Sequence, residues 1–193
     1  LKNKRIYHKT DSQIADEQRI IDETCKNPQH FEKLYDKYYE AIYRFVFKRL
    51  EEKQDAYDVT AQVFLKALQN LPRYKHMGLP FSSWLFRIAK SEVYQFLRDN
   101  NKIRVIDIES TQLNDLQEET GYEEREMLLQ CLEQILPELS NNELLLLEMR
   151  YFEKKSFKEV SEILNVSENN AKVKMHRIIE KLKIKLDNIQ KSL

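Results

Sequence analysis

Glycine is almost absent from this chain, with two in 193 residues, and proline is scarce at four. So few turn-formers do not serve an all-β fold, whose hairpins need them, and two glycines cannot build a phosphate-cradling loop. No stretch alternates apolar and polar residues as a half-buried strand does, and no apolar run approaches a membrane span. The two cysteines, Cys25 and Cys131, stand far apart. They make no disulfide framework, so a reducing compartment, the cytoplasm, is expected. The N-terminus lacks the charged, apolar, then small-residue order of a signal peptide. It also lacks an initiating methionine, as a processed or trimmed chain would. The four histidines, at 8, 30, 76 and 176, are scattered. No Cys/His spacing fits a metal site, so no metal or cofactor is expected and catalysis is not indicated. Net charge is missing too, because 32 Lys and Arg balance 32 Asp and Glu. A zero total means that basic faces are offset by acidic segments elsewhere, so the pattern matters more than the sum.

What the chain has is charge and helical periodicity. With 33% charged and 41% hydrophobic residues it reads as a folded, all-α protein. Its organising stretch is SFKEVSEILNVSENNAKVKMHRIIEKLKIKL, residues 156–186. Ser156 and Glu159 form an S-x-x-E capping box, in which each satisfies a backbone donor left open at a helix start. Phe157, Val160, Ile163 and Leu164 continue as an apolar stripe. Asn165 ends this helix, because asparagine tolerates the left-handed conformation where glycine is usual. Val166 plugs the angle between two helices, and Ser167 caps the second. That second helix buries Ala171, Met175, Ile178 and Leu182. Its opposite face carries Asn169, Lys172, Val173 and His176, flanked by Lys174, Arg177, Lys181, Lys183 and Lys185. A solvated cationic face is the plainer reading of such a helix. Caps, turn and one-sided cations together favour a helix-turn-helix whose second helix enters a major groove.

The N-terminal half reads as four helices. After a basic, polar arm at 1–10, Asp11 to about Cys25 is a short helix anchored by Ile14, Ile20 and Ile21, broken by Asn27-Pro28. From His30 to about Leu50, Phe31, Leu34, Tyr35, Tyr38, Ile42, Phe45 and Val46 face inward, leaving Tyr39, Tyr43, Lys48 and Arg49 for the surface. A third helix, about Asp55 to Leu71, buries Ala56, Val59, Val63, Phe64, Ala67 and Leu68. Asp55 and Asp58 complement its dipole in the first turn; with Gln62 they also make a polar stripe suited to docking. The loop PRYKHMGLP, 72–80, holds Arg73, Tyr74, Lys75 and His76. These can stack an unpaired base and neutralise a phosphate, or simply connect two helices. The fourth helix, Phe81 to about Arg98, buries Phe81, Trp84, Leu85, Ile88, Ala89, Val93, Phe96 and Leu97, with Ser82 or Ser83 as its cap. Arg87, Lys90, Ser91, Tyr94, Gln95 and Arg98 fall on the other side, where cations suit phosphates, an amide suits a base edge and a ring suits stacking. A solvated mixed-charge face is the alternative.

Periodicity lapses over 99–122, DNNKIRVIDIESTQLNDLQEETGY, which is acidic through Asp107, Glu109, Asp115, Glu118 and Glu119. It reads as a flexible linker between a first domain at 1–98 and a second at 123–193. There a fifth helix runs from near Tyr122 to about Gln134, with Met127, Leu128, Cys131, Leu132 and Ile135 inward, and Pro137 ends it. Ser140 and Glu143 make another capping box. Leu144, Leu145, Leu147, Met149 and Tyr151 carry a sixth helix to about Phe152.

In that order, FEKLYDKYYEAIYRFVFKRL, DAYDVTAQVFLKAL, FSSWLFRIAKSEVYQFLRD and LPELSNNELLLLEMRYFEKKSFKEVSEILNVSENNAKVKMHRIIEKL resemble regions 2.1, 2.2, 2.3–2.4 and 4 of a bacterial RNA polymerase sigma factor of the extracytoplasmic-function (ECF) group. The resemblance covers about Asp11 to Leu186. It implies two small helical domains and a non-enzymatic initiation specificity factor that binds core RNA polymerase, at its β′ clamp and β flap, and recognises and melts promoter DNA. Asp55, Asp58 and Gln62 would dock on the β′ clamp coiled coil, with Gln62 standing where an acid is common. Arg73, Tyr74, Lys75, Arg87, Lys90, Ser91, Gln95 and Arg98 would recognise and melt the −10 element and hold a flipped non-template base. Ser91 and Gln95 depart from the family's NxxxDxLR-like pattern, so its −10 preference does not carry over. Asn169, Lys172, Val173, Lys174, His176, Arg177 and Lys181 would read the −35 element. A serine is frequent where Val173 stands, which implies a different base preference. The linker resembles the segment that threads toward the RNA exit path, and an anti-sigma factor is a further implied partner, without membrane insertion. A stand-alone helix-turn-helix regulator is the alternative; it leaves the basic, aromatic 72–98 segment and the linker unexplained.

Overall fold

A computed structural model describes residues 11–100, 114–121 and 125–192; the arm at 1–10 and residues 101–113 and 122–124 of the expected linker and its exit lie outside the described residues. Among the described residues there is no strand. The chain divides into two compact units, 1–107 and 108–193.

The first unit contains α1 (Asp11–Lys26), α2 (Glu32–Leu50), α3 (Lys53–Asn70) and α4 (Phe81–Asp99). Its core is the meeting of three amphipathic faces: Leu34, Ile42, Phe45 and Val46 of α2, Ala56, Val63 and Ala67 of α3, and Leu85, Phe86 and Ala89 of α4 are all sealed from solvent. Each large side chain so buried stabilises the fold by about 1.5–3 kcal/mol. Asn27 accepts from the Gln29 amide, and Pro28 opens a single 3-10 turn ahead of α2, which replaces the expected helical start at His30.

Three expectations need correction here. Tyr35, assigned inward, is 37% exposed. It begins a surface ladder in which Tyr35 meets Tyr39 at 5.1 Å between ring centroids, Tyr39 stacks on Tyr43 at 6.0 Å, and Tyr43 stacks on Tyr57 at 4.9 Å. Arg49, assigned to the surface, is buried. Its guanidinium lies 3.5 Å from the Phe45 ring centroid and donates to the Phe45 carbonyl at 2.6 Å, so stacking and a hydrogen bond offset its desolvation. Neither Ser82 nor Ser83 caps α4. Pro80 occupies the N-cap without a side-chain hydrogen bond, and both serines are buried.

The second unit contains α5 (Asn114–Thr120), α6 (Arg125–Ile135), α7 (Asn141–Leu147), α8 (Phe157–Leu164) and α9 (Glu168–Ser192). The linker expectation fails at α5: Leu116 is fully buried, and this short helix packs on α9. Gly121, at φ +77°, ends it with its amide donating to the Gln117 carbonyl at 2.8 Å. One leucine in seven residues is too little to show as periodicity. All four leucines of 144–147 are buried, and the α-helix there gives way to a π-helical turn over Glu148–Phe152 instead of running on to Phe152. Cys131 is buried, and its thiol lies 3.5 Å from the Leu182 carbonyl; burial pushes its pKa up. Cys25, in the first unit, is exposed.

The helix-turn-helix forms as its residues indicate. Both capping boxes are present. Asn165 takes the left-handed conformation at φ 56°, ψ 51°. The Ser167 hydroxyl accepts from the Asn170 amide at 3.2 Å.

Because α5 is an integral part of the second unit, Leu116→Ala is expected to cost that unit about 2–5 kcal/mol. Differential unfolding followed by amide exchange should show α6–α9 loosening while α2–α4 keep their protection.

Candidate nucleic-acid interface

The box at Ser156 sets where α8 starts: Glu159 accepts from the Ser156 amide at 2.9 Å and from its hydroxyl at 2.8 Å, and that hydroxyl accepts from the Glu159 amide at 3.1 Å. Asn165 then reverses the chain, and α9 leaves with Ala171, Met175, Ile178 and Leu182 buried. Asn169, Lys172, Val173, His176 and Arg177 are exposed, with Val173 at 42%. An exposed valine among polar neighbours suits contact with a thymine methyl group.

The cations of α9 do not share one face. Lys172 is paired with Glu168 one turn earlier at 2.6 Å. Lys185 lies 2.8 Å from Glu138. Lys181 and Lys174 both act on Glu143, whose carboxyl is held below the usual range by the Ser140 hydroxyl first, against a smaller opposing effect of burial, and then by the Ser140 amide and these two lysines. The outward set is therefore Asn169, Lys172, Val173, His176, Arg177 and Lys181, while Lys174 and Lys185 are half-buried, Lys185 beside Glu138.

In the first unit a cavity of about 430 Å³ opens between α3 and α4, lined by Lys66, Asn70, Arg73, Trp84, Arg87, Ile88, Ser91 and Glu92. Three of the expected residues, Arg73, Arg87 and Ser91, meet there. Trp84 forms part of the wall, with Tyr74 packed on it at 5.0 Å and on Phe81 at 5.4 Å. Lys66 holds both Glu92 oxygens, at 2.8 and 2.7 Å, and Glu92 is only 9% exposed. Sequence reasoning missed Lys66, Asn70 and Glu92, because the pair spans two helices and no local spacing announces it. Gln95 and Arg98 are exposed and bound to each other, and Gln95 donates to Asp99 at 2.7 and 2.8 Å. Lys75 is exposed in the loop. Lys90 is half-buried and does not line the cavity; burial lowers its pKa.

On α3, Asp58 and Gln62 are exposed and Asp55 is half-buried, as their spacing on one stripe implies. Gln54 donates to Asp58 at 3.2 Å. Exposed Leu65 and Tyr57 add apolar area to this helix. Among the described residues no group of His, Cys, Asp or Glu could hold a metal ion, and no helix is long and apolar enough to cross a membrane.

A helix-turn-helix in one unit and a cation-walled cavity in the other define a DNA-recognition protein. Sigma-70 region 2 matches residues 34–103, and Sigma-70, region 4 matches residues 129–182. RNA polymerase sigma factor SigV of Bacillus subtilis is 26% identical over 145 residues, which is 75% of this chain and 84% of that protein. ECF RNA polymerase sigma factor SigM of the same organism is 27% identical over 155 residues, 79% of this chain and 92% of that protein. The fold is shared with the sigma factor RpoE, solved with the anti-sigma factor NepR from Bartonella quintana, at TM-score 0.54 and 18% identity over 81% of this chain and 96% of that one. The chain belongs to the sigma-70 family of RNA polymerase sigma factors, in its ECF group. The region 2 match also removes the ground for a stand-alone helix-turn-helix regulator.

A carboxyl whose pKa is depressed by folding stabilises above its unfolded value, near 4.3 for glutamate, and that contribution is lost as pH falls through the folded value. The second unit should therefore lose stability below the ordinary glutamate range, and Glu143→Gln should flatten that part of its acid unfolding profile.

Proposed function

We propose that this initiation factor divides promoter recognition between its two units, with no chemical step of its own. The observation that supports this most directly is the presence of both sigma regions in one chain, in order, each with an exposed polar or cationic face. Asn169, Val173, His176 and Arg177 read the −35 duplex from the major groove, with Lys172 on the adjoining backbone and Lys174 and Lys181 at the flank. Arg73, Arg87 and Ser91 around the cavity, with Tyr74, Lys75, Lys90, Gln95 and Arg98 nearby, take the −10 element. There a base leaves the stack, and stacking worth roughly 1–3 kcal/mol offsets its unpairing. Asp55, Asp58 and Gln62 dock on the β′ clamp of core RNA polymerase, with Leu65 and Tyr57 supplying apolar contact, and region 4 meets the β flap.

Holding both units on one polymerase raises effective concentration at two sites at once. Free in solution the chain has no net charge to draw it to DNA, and nonspecific affinity grows with the number of phosphates neutralised. It acts in the cytoplasm, and an anti-sigma factor, as RpoE has in NepR, is its expected inhibitor.

Reconstitution with core polymerase and mapping of transcript starts tests this assignment. Lys172→Ala with Arg177→Ala should lower promoter-specific transcription by about tenfold or more, the equivalent of one or two lost contacts, while polymerase association stays intact. Loss of association would refute the division of labour. Val173→Ser should relax discrimination at one −35 position without changing the salt dependence of binding, measured on a set of single-base promoter variants.

A further inference from the structure

Glu17 of α1 is a carboxylate at 1% exposure in a helix that is otherwise largely polar and exposed. It lies on the buried seam of that helix with Ile21 and Thr24, ahead of the residues matched as region 2. A buried carboxylate is tolerated only when it is paired and hydrogen-bonded. Glu17 meets this condition through three groups from two other elements. The Tyr38 hydroxyl donates to Oε1, and the Lys37 ammonium lies 2.7 Å from the same oxygen. Oε2 accepts from the backbone amide of Phe81 at 3.1 Å, across 64 residues of sequence.

Phe81 is the first residue of α4, where Pro80 offers no capping side chain. A helix start leaves amides open and carries partial positive charge, so an anion there both satisfies a donor and complements the dipole. Glu17 therefore does for α4 what Ser156 and Glu159 do for α8, but from another helix. The same contact closes one end of the 74–80 loop. At the other end Tyr74 packs on Phe81 and Trp84, and Tyr38 packs on Phe81 at 6.0 Å. Leu79 and Pro80 are buried, while Lys75, His76, Met77 and Gly78 stay exposed between the two anchors.

We infer that Glu17 is a positioning residue for promoter opening: it latches α1 to the first turn of α4 and so holds the exposed, cationic tip of the 74–80 loop where the displaced strand is captured. This rests on reading that loop as part of the surface that takes the −10 element. Without the latch the carboxylate's three partners lose their common acceptor, the first turn of α4 frays, and the loop becomes a longer tether that pays an ordering cost on binding each strand.

The test uses the full chain with core polymerase. Permanganate reactivity of promoter thymines reads opening, polymerase association is measured separately, and each variant's unfolding midpoint is recorded. Glu17→Gln, which keeps the shape and most of the packing, and Glu17→Ala are compared with Lys75→Ala/His76→Ala in the loop. The expected result is a fall in opening on duplex promoter of about tenfold for Glu17→Gln, the equivalent of losing one charge-assisted hydrogen bond. Association is unchanged, and much of the loss is recovered on a template already unpaired across the −10 element. Opening at the normal rate in folded Glu17→Gln overturns the inference while the loop variants still support the −10 reading. Association and opening falling together, in step with the midpoint, overturns it by showing a purely structural role. If the loop variants also open promoters normally, the −10 reading of the loop fails and this inference with it.

Discussion

Ser156 and Glu159 exchange hydrogen bonds at 2.8–3.1 Å, and the direction of α9 follows from that exchange. Because the box fixes the first residue of α8, it fixes how many residues separate that start from the left-handed Asn165, and hence the angle at which the next helix departs. Val160, Ile163 and Leu164 on one side and Ala171, Met175 and Ile178 on the other are then brought face to face. In a chain with two glycines, helix ends cannot be left to flexible backbone. Side chains close them instead, locally at Ser140 and Ser156 and at long range at Phe81. Where even that is missing, non-glycine residues take positive φ, as Glu51, Lys154 and Asn165 do.

Part of the charge balance is local. Lys37 meets Glu17, Lys66 meets Glu92, Lys172 meets Glu168 and Lys185 meets Glu138. Each such pair largely cancels its own field beyond a short distance, so these four lysines add little long-range attraction for DNA.

Most of the helices were legible because their apolar residues recur at three and four, a signal that survives without any knowledge of partners. The helix-turn-helix was legible in detail because every feature that shapes it is local: two caps, one turn residue and one stripe. What the sequence hid was relational. Arg49 is a surface residue by type and a core residue by its contact with Phe45. The acceptor at the start of α4 comes from α1, 64 residues away in sequence, so nothing local points to it and the nearest serines read as the cap. Helix α5 reads as linker because its seven residues hold a single apolar anchor, Leu116. At the site, spacing placed Arg87 and Ser91 on one face but could not bring Lys66, Asn70 and Glu92 to it, since those come together only when α3 packs on α4. In the same way the cations of α9 read as one run, and only the fold separates the exposed Arg177 from Lys185, which meets Glu138 in the turn after α6.

The two cysteines have an unplanned use. Cys131 is enclosed between α6 and α9, and its thiol is pushed away from the reactive thiolate, whereas Cys25 is open to solvent eight residues beyond Glu17 on α1. Eight residues of helix amount to about 12 Å. A maleimide dye added to the unmodified protein should therefore attach at a single place, and its emission would report the ordering of α1 during each step of complex assembly without any engineered labelling position.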